Sequence, residues 1–175
     1  MKHTYYIRQS ALLRWYRNRV YGFDKYLIGK NVLEVGPNKG TLFEKYYPLS
    51  QQYTLLEPNS HFEHDYVKLQ QRHANLKYEI NGFEAYTSDG PFDTIVMMAV
   101  IAHIRMDPER LYEKIELLLV RGGFLIIETN NTKRNLGMLA LCDERMDRLE
   151  AKTSYNGAMK WLKIDYREVF VYQRR

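Results

Sequence analysis

Residues 30–44 read KNVLEVGPNKGTLFE, and no other stretch constrains the fold as much. Val32, Leu33, Glu34 and Val35 run straight into Gly36, Pro37, Asn38, Lys39 and Gly40, and a new apolar pattern begins at Leu42 and Phe43. The pattern is that of a short buried strand, a tight glycine turn and the start of a helix. Glycines suit such a turn because a bound ligand can approach the backbone where a side chain would block it. A helix start also presents free backbone N–H groups and the positive end of a dipole, which favour an anionic ligand group nearby.

Two ligand chemistries compete for this turn. A dinucleotide fingerprint, G-x-G-x-x-G, holds a pyrophosphate, but its middle and third glycines are missing here. Glu34, two residues before the first glycine and still on the strand, suits instead a ligand carrying positive charge. With Glu34, Gly36 and Gly40 in place, VLEVGPNKG resembles motif I, E/D-x-G-x-G-x-G, of the class I S-adenosylmethionine-dependent methyltransferases, with Asn38 at the middle glycine and Pro37 a common filler. The resemblance implies an α/β fold: a Rossmann-like, open, mostly parallel twisted sheet with helices on both faces and a reversed final strand. An ordinary strand–turn–helix joint remains the alternative for this stretch alone.

The rest of the chain follows the same order. A second strand is expected over 53–57 and ends in Glu57, 21 positions after Gly36. An acid at that strand end accepts hydrogen bonds from ribose hydroxyls in Rossmann-like folds. That suits either cofactor. A helix is expected over 41–47, stopped by Pro48, and another over 61–74. Its histidines, His61, His64 and His73, form no compact metal-ligand set. A third strand is expected over 76–80, a fourth over 92–98, a helix over 109–119 after an Asp107 cap and Pro108, and a fifth strand over 124–128. The Arg121-Gly122-Gly123 stretch is expected to end the helix before that strand. A further helix is expected over 136–150, and one or two strands within 158–173. An N-terminal helix is expected over 4–21, with Ser10 and Gly22 as caps.

The resemblance assigns roles by position. Pro58 belongs to the cofactor site with Gly36, Pro37, Asn38, Gly40, Glu34 and Glu57. Phe83 and Glu84 follow the third strand, where adenine is met. Met98 and Ala99 end the fourth strand, a segment similar to the family's FD-x-V strand. The sequence LLLVRGGFLIIETN looks like the family's L-K-P-G-G-x-L segment. The segment before the first strand often covers the site, which makes Tyr5, Tyr6, Arg8, Trp15 and Tyr16 lid candidates. One domain is expected, with residues 1–29 as a helical cap and 30–175 as the core.

Methyl transfer from a sulfonium is an in-line displacement. It depends on positioning, and on a base where the acceptor is a hydroxyl. His103, just beyond the fourth strand, is the base candidate, although Ala102 stands where many small-molecule members carry an acid. Asp107 and Tyr16 are weaker alternatives. The Asn/Asp-Pro-Pro-Tyr/Phe motif of base and amide methyltransferases is absent, with Met97-Met98-Ala99-Val100 in its place. Methionines there cannot ligate magnesium, so no metal is expected. The implied activity is metal-independent transfer to an oxygen or nitrogen of a small molecule, for example a sugar. An RNA or protein methyltransferase, a non-catalytic binding or scaffold protein of the same fold and, more remotely, an NAD-dependent oxidoreductase are the rivals.

Composition bounds these readings. The 175 residues are enough for one two-sided core, and 45% are hydrophobic, which excludes a disordered chain. The net charge of +5 permits a nucleic-acid partner without demanding one. No apolar run is long enough for a membrane span, and the first residues lack a signal-peptide core. The lone Cys142 has no partner for an internal disulfide, so a reducing, cytoplasmic setting is expected and Cys142 reads as an inert packing residue.

Overall fold

A computed structural model describes residues 19, 21–40, 42–88, 90–129, 132–153 and 168–175. The lid candidates Tyr5, Tyr6, Arg8, Trp15 and Tyr16 lie outside the described residues, as do Asn130 and Asn131. A short helix α1 (Asp24–Leu27) leads into β1 (Asn31–Val35). A 3-10 helix (Glu44–Leu49) connects it to β2 (Gln52–Leu56), and a 3-10 turn (Ser60–Phe62) opens α2 (Glu63–Arg72). Then follow β3 (Leu76–Glu79), β4 (Phe92–Met98), a 3-10 turn (Ile101–His103) and α3 (Pro108–Leu118). The chain continues through β5 (Leu119–Thr129), α4 (Lys133–Arg145), β6 (Met146–Thr153) and β7 (Glu168–Arg174).

The seven strands form one sheet in the order β3-β2-β1-β4-β5-β7-β6. The first five pair in parallel, and β7 runs antiparallel to both its neighbours. This is the expected mostly parallel sheet with a reversed final strand. β1 lies between β2 and β4, so its exit loop opens at the carboxyl edge where connections leave in opposite directions. Open α/β sheets bind their ligands there.

Strand alternation gives the sheet two buried faces. Leu33, Val35, Ile95, Met97, Leu125 and Ile127 point to an aliphatic face covered by α3 and α4. Helix α3 starts where Asp107 accepts a hydrogen bond from the Arg110 N–H (3.0 Å) and Pro108 sets the first turn. It buries Leu111, Ile115 and Leu118, each contributing about 1.5–3 kcal/mol. Helix α4 buries Met138, Leu139 and Cys142 at helical spacing. Burial pushes the Cys142 thiol up to about 12, so it stays protonated and unreactive. The opposite face carries Val32, Tyr53, Leu55, Val96 and Ile126. Tyr21, Phe23, Tyr26, Tyr46, Tyr47 and Tyr66 cover it.

Three segments depart from expectation. The helix expected over 41–47 is the 3-10 helix Glu44–Leu49, with Pro48 inside it. The crossover is short, and the tighter helix still buries Tyr46 and Tyr47. Gly122 and Gly123 do not end a helix but bulge β5. The strand steps from Leu119 to Phe124 while β4 steps only from Phe92 to Thr94. A Cβ on Gly123 would lie 2.8 Å from the Val120 carbonyl oxygen and 2.9 Å from that of Asp93. The helix expected over 136–150 stops at Arg145, and residues 146–153 form the edge strand β6. Its Asp147, Arg148 and Glu150 lie in the stretch expected to be helical, yet charge is also what protects a sheet edge from foreign strands.

Candidate active site

The loop after β1 is held in an unusual backbone form. Gly36 (φ 66°), Asn38 (φ 58°) and Gly40 (φ 65°) are all left-handed, in alternation. The glycines are also required by packing: a Cβ on Gly36 would lie 2.5 Å from Val100 Cγ2, and one on Gly40 2.9 Å from Leu69 Cδ1. Three of the loop's amides are already used. Gly36 N–H donates to the Leu56 carbonyl (2.8 Å), Asn38 N–H to Glu57 Oε2 (3.0 Å) and Gly40 N–H to the Pro37 carbonyl (3.0 Å). Two tyrosines hold its carbonyls: Tyr66 O–H donates to Asn38 O and Tyr47 O–H to Gly40 O. Among the described residues the next helix is the 3-10 helix Glu44–Leu49, so the loop does not run directly into the α-helix expected over 41–47.

Glu57 is 7% exposed and joins two loops. Its Oε2 takes the Asn38 N–H and its Oε1 the Asn59 N–H (3.1 Å). Each oxygen keeps a second acceptor lone pair. Pro58 between them is exposed.

Glu34 lies on the tyrosine face directly under the loop and is 1% exposed. Tyr53 O–H donates to its Oε2 (3.0 Å). Burial raises the Glu34 carboxyl to about 8, against the opposing effect of that hydrogen bond. The negative charge expected of it toward a cationic ligand is thus largely missing at pH 7, and the group is sealed from the surface.

Beyond β4 the backbone turns sharply. Ala99 is left-handed (φ 60°), and its N–H donates to the Glu128 carbonyl (2.8 Å). Such a conformation in a residue with a Cβ is costly and points to a functional constraint. The turn places Val100 against Gly36, so the exits of β4 and β1 meet. Met98 and Ala99 are half-buried beside this contact. His103 is exposed in the following 3-10 turn. Arg134 of α4 donates to the carbonyls of Ile104 and Met106, and Glu84 accepts the Arg105 N–H, so the loop carrying His103 is tied from two sides. Asp107 is occupied as the α3 cap.

The loop residues, Glu57 and the β4 exit therefore come together at one edge. Phe83 is 2% exposed and packs in the same core cluster as Val35 and Ile101, with Lys114 Nζ 5.4 Å from its ring centre. The sequence reading missed Tyr47 and Tyr66. Their signal was faint: Phe62, Tyr66 and Leu69 share one helical stripe, which reads as plain core. It also passed over Glu128, an acid ending an apolar strand, which is fully buried and accepts from Tyr21 O–H (2.6 Å). Among the described residues no cluster of His, Cys, Asp or Glu could hold a metal ion, and no helix is long and apolar enough to cross a membrane.

The family model described as "Methyltransferase domain" matches residues 8–168, most of the chain. The chain belongs to that methyltransferase domain family. No curated protein sequence matches this methyltransferase. Its fold is shared with solved structures at low identity. The N-methyltransferase NodS from Bradyrhizobium japonicum WM9 superposes with a TM-score of 0.76 at 13% identity, over 95% of this chain and 98% of that one. The 1,6-didemethyltoxoflavin-N1-methyltransferase of Burkholderia thailandensis, solved with 1,6-didemethyltoxoflavin and S-adenosylhomocysteine, gives 0.69 at 14%, over 95% and 79%. The magnesium protoporphyrin IX methyltransferase of Synechocystis PCC 6803, solved with S-adenosylmethionine, gives 0.67 at 11%, over 94% and 79%.

Proposed function

We propose that this methyltransferase-family chain moves a methyl group from S-adenosylmethionine to an oxygen or nitrogen of a small molecule, without a metal ion. One observation carries the cofactor assignment: Glu57 stands beside a glycine loop in which the amides of Gly36, Asn38 and Gly40 already have acceptors. A pyrophosphate needs several free N–H donors, and Gly36, Asn38 and Gly40 offer none. A ribose diol needs acceptors, and the Glu57 carboxylate retains them. The residues present therefore fit a nucleoside without a diphosphate.

In this reading Glu57 accepts from the ribose. Gly36, Pro37, Asn38 and Gly40 form the floor, and Pro58, Met98 and Ala99 flank it. Exposed Glu84 is assigned to the adenine end. Glu34 supports the floor from below through Tyr53 as a largely neutral carboxyl. The bound cofactor supplies a methyl group already activated on a sulfonium. The protein's part is to align the acceptor and exclude water. Exposed His103, on a loop tied by Arg134 and Glu84, takes the proton of a hydroxyl acceptor. The small-molecule assignment is supported by the substrates that name two of the structural relatives, a toxoflavin precursor and a magnesium porphyrin.

The test is a calorimetric titration with S-adenosylhomocysteine and with NADH. We expect micromolar binding of the first, none of the second, and binding about 10–100-fold weaker in Glu57→Gln, as for a lost hydrogen bond to a charged group. Binding of NADH, or none of S-adenosylhomocysteine by folded protein, overturns the proposal. With an acceptor in hand, His103→Ala should lower kcat by about 10²–10⁴ for a hydroxyl substrate.

A further inference from the structure

We infer that Tyr66 is a positioning residue for the cofactor: its hydroxyl holds Asn38 in its left-handed conformation and thereby sets the aim of the Glu57 carboxylate. The inference rests on the cofactor reading above. Asn38 is the one non-glycine residue of the loop in the left-handed region, so its conformation needs outside support. It is gripped from both ends, with its N–H on Glu57 Oε2 (3.0 Å) and its carbonyl on the Tyr66 hydroxyl. The two grips come from different elements, Glu57 from the end of β2 and Tyr66 from α2.

The geometry makes this a chain of support. Tyr66 is fully buried, and its ring stacks at a tilt on Tyr78 (5.7 Å), so the hydroxyl has little freedom to wander. The ring also lies where a Gly40 Cβ would be 3.1 Å from its Cε1, so the same side chain limits the loop at two residues. Burial pushes the phenol well above its ordinary range, so it stays a donor at every relevant pH. If the Asn38 carbonyl loses that donor, the Asn38–Lys39 peptide can turn and Asn38 can leave its costly left-handed conformation. The Asn38 N–H, in the preceding peptide, then loses its aim at Glu57, and the carboxylate is held chiefly by Asn59. Two backbone grips fix a plane, whereas one leaves a hinge. Tyr66 thus acts on the ribose-binding acid without touching the ribose.

Tyr66→Phe tests this, because it keeps the ring and removes one oxygen. The first readout needs no cofactor: amide hydrogen exchange at Asn38, followed by NMR. We expect exchange at Asn38 to quicken about tenfold or more in Tyr66→Phe, while the Gly36 amide, bonded to Leu56, keeps its protection. Glu57→Gln should quicken Asn38 as well, and adding Tyr66→Phe to it should add less than twofold. The second readout is S-adenosylhomocysteine affinity, expected to fall about tenfold in Tyr66→Phe, with KM for the cofactor raised and kcat unchanged. Unchanged Asn38 exchange, independent additive effects of the two variants, or wild-type affinity in Tyr66→Phe overturns the inference while leaving the cofactor reading intact. Failure of wild-type protein to bind S-adenosylhomocysteine overturns both.

Discussion

The two faces of this one sheet are made of different chemistry. On the face under α3 and α4, the central strands turn mainly aliphatic side chains inward, from Leu33 to Ile127, with Phe170 and Tyr172 of β7 beside them. On the other, the same strands turn in Glu34, Thr94 and Glu128 among tyrosines. An aliphatic layer gains from area removed from water and has no preferred direction. A buried hydroxyl must find an acceptor. Tyr47 and Tyr66 find theirs in the glycine loop, Tyr53 in Glu34 and Tyr21 in Glu128. The comparison teaches that one face holds the molecule together and the other shapes the site, although they lie back to back.

Substitutions should separate those roles. The largest effect belongs to the aliphatic face: Ile127→Ala should lower stability by about 2–5 kcal/mol in urea melts, with S-adenosylhomocysteine affinity of the folded protein unchanged. A matching loss of affinity would break the distinction. On the tyrosine face Glu34→Gln should move stability the other way. The Glu34 carboxyl sits at about 8 in the folded state against an ordinary 4.5, so the native protein keeps a proton that the unfolded chain releases. Stability from this group therefore falls as pH rises from about 4.5 to about 8, by up to about 1.4 kcal/mol per unit. Thermal melts should show Glu34→Gln about 1–3 kcal/mol more stable at pH 8, no more stable at pH 4, and flatter between. A variant less stable at pH 8 would mean that Glu34 is charged in place.

A smaller effect is expected for Tyr47→Phe, which frees the Gly40 carbonyl: about 1 kcal/mol in urea melts. The smallest lies at the rim of the tyrosine face, at Glu150, which accepts from Tyr26 O–H (2.6 Å). Partial burial alone would raise its carboxyl, but hydrogen bonds from Lys152, Lys25 and Tyr26 hold it at about 2. That stability is present above the ordinary carboxylate range and is lost as pH falls toward 2. Glu150→Gln should cost about 0.5–1 kcal/mol at pH 7 and nothing near pH 2, again by melting.

Much of the fold was legible in sequence because β1, β2 and β4 are mostly apolar and nearly fully buried. Parallel strands buried on both sides must read that way. The glycine loop was legible because left-handed backbone leaves few residue choices. What hid was set by distant partners. β6 is a strand because β7 pairs with it from Arg174 to Glu168, and nothing local in MDRLEAKT says so. The bulge at Gly122 and Gly123 depends on β4 beside it. At the site, Glu57 stood out by its distance from Gly36, but the hold of Tyr66 on Asn38 joins residues 28 apart and leaves no spacing rule. The burial of Glu34, and with it its charge, is a property of the assembled sheet.

The position of β7 has a consequence for how the protein is made. The last strand of the chain is inserted between β5 and β6, pairing Phe124 with Gln173 and Met146 with Arg174. While the polypeptide is still leaving the ribosome, β5 shows an unpaired apolar edge and β6 has no neighbour at all. Such edges invite pairing with other chains. Until residues 168–174 are free to pair, the folding chain therefore carries exposed strand edges open to aggregation.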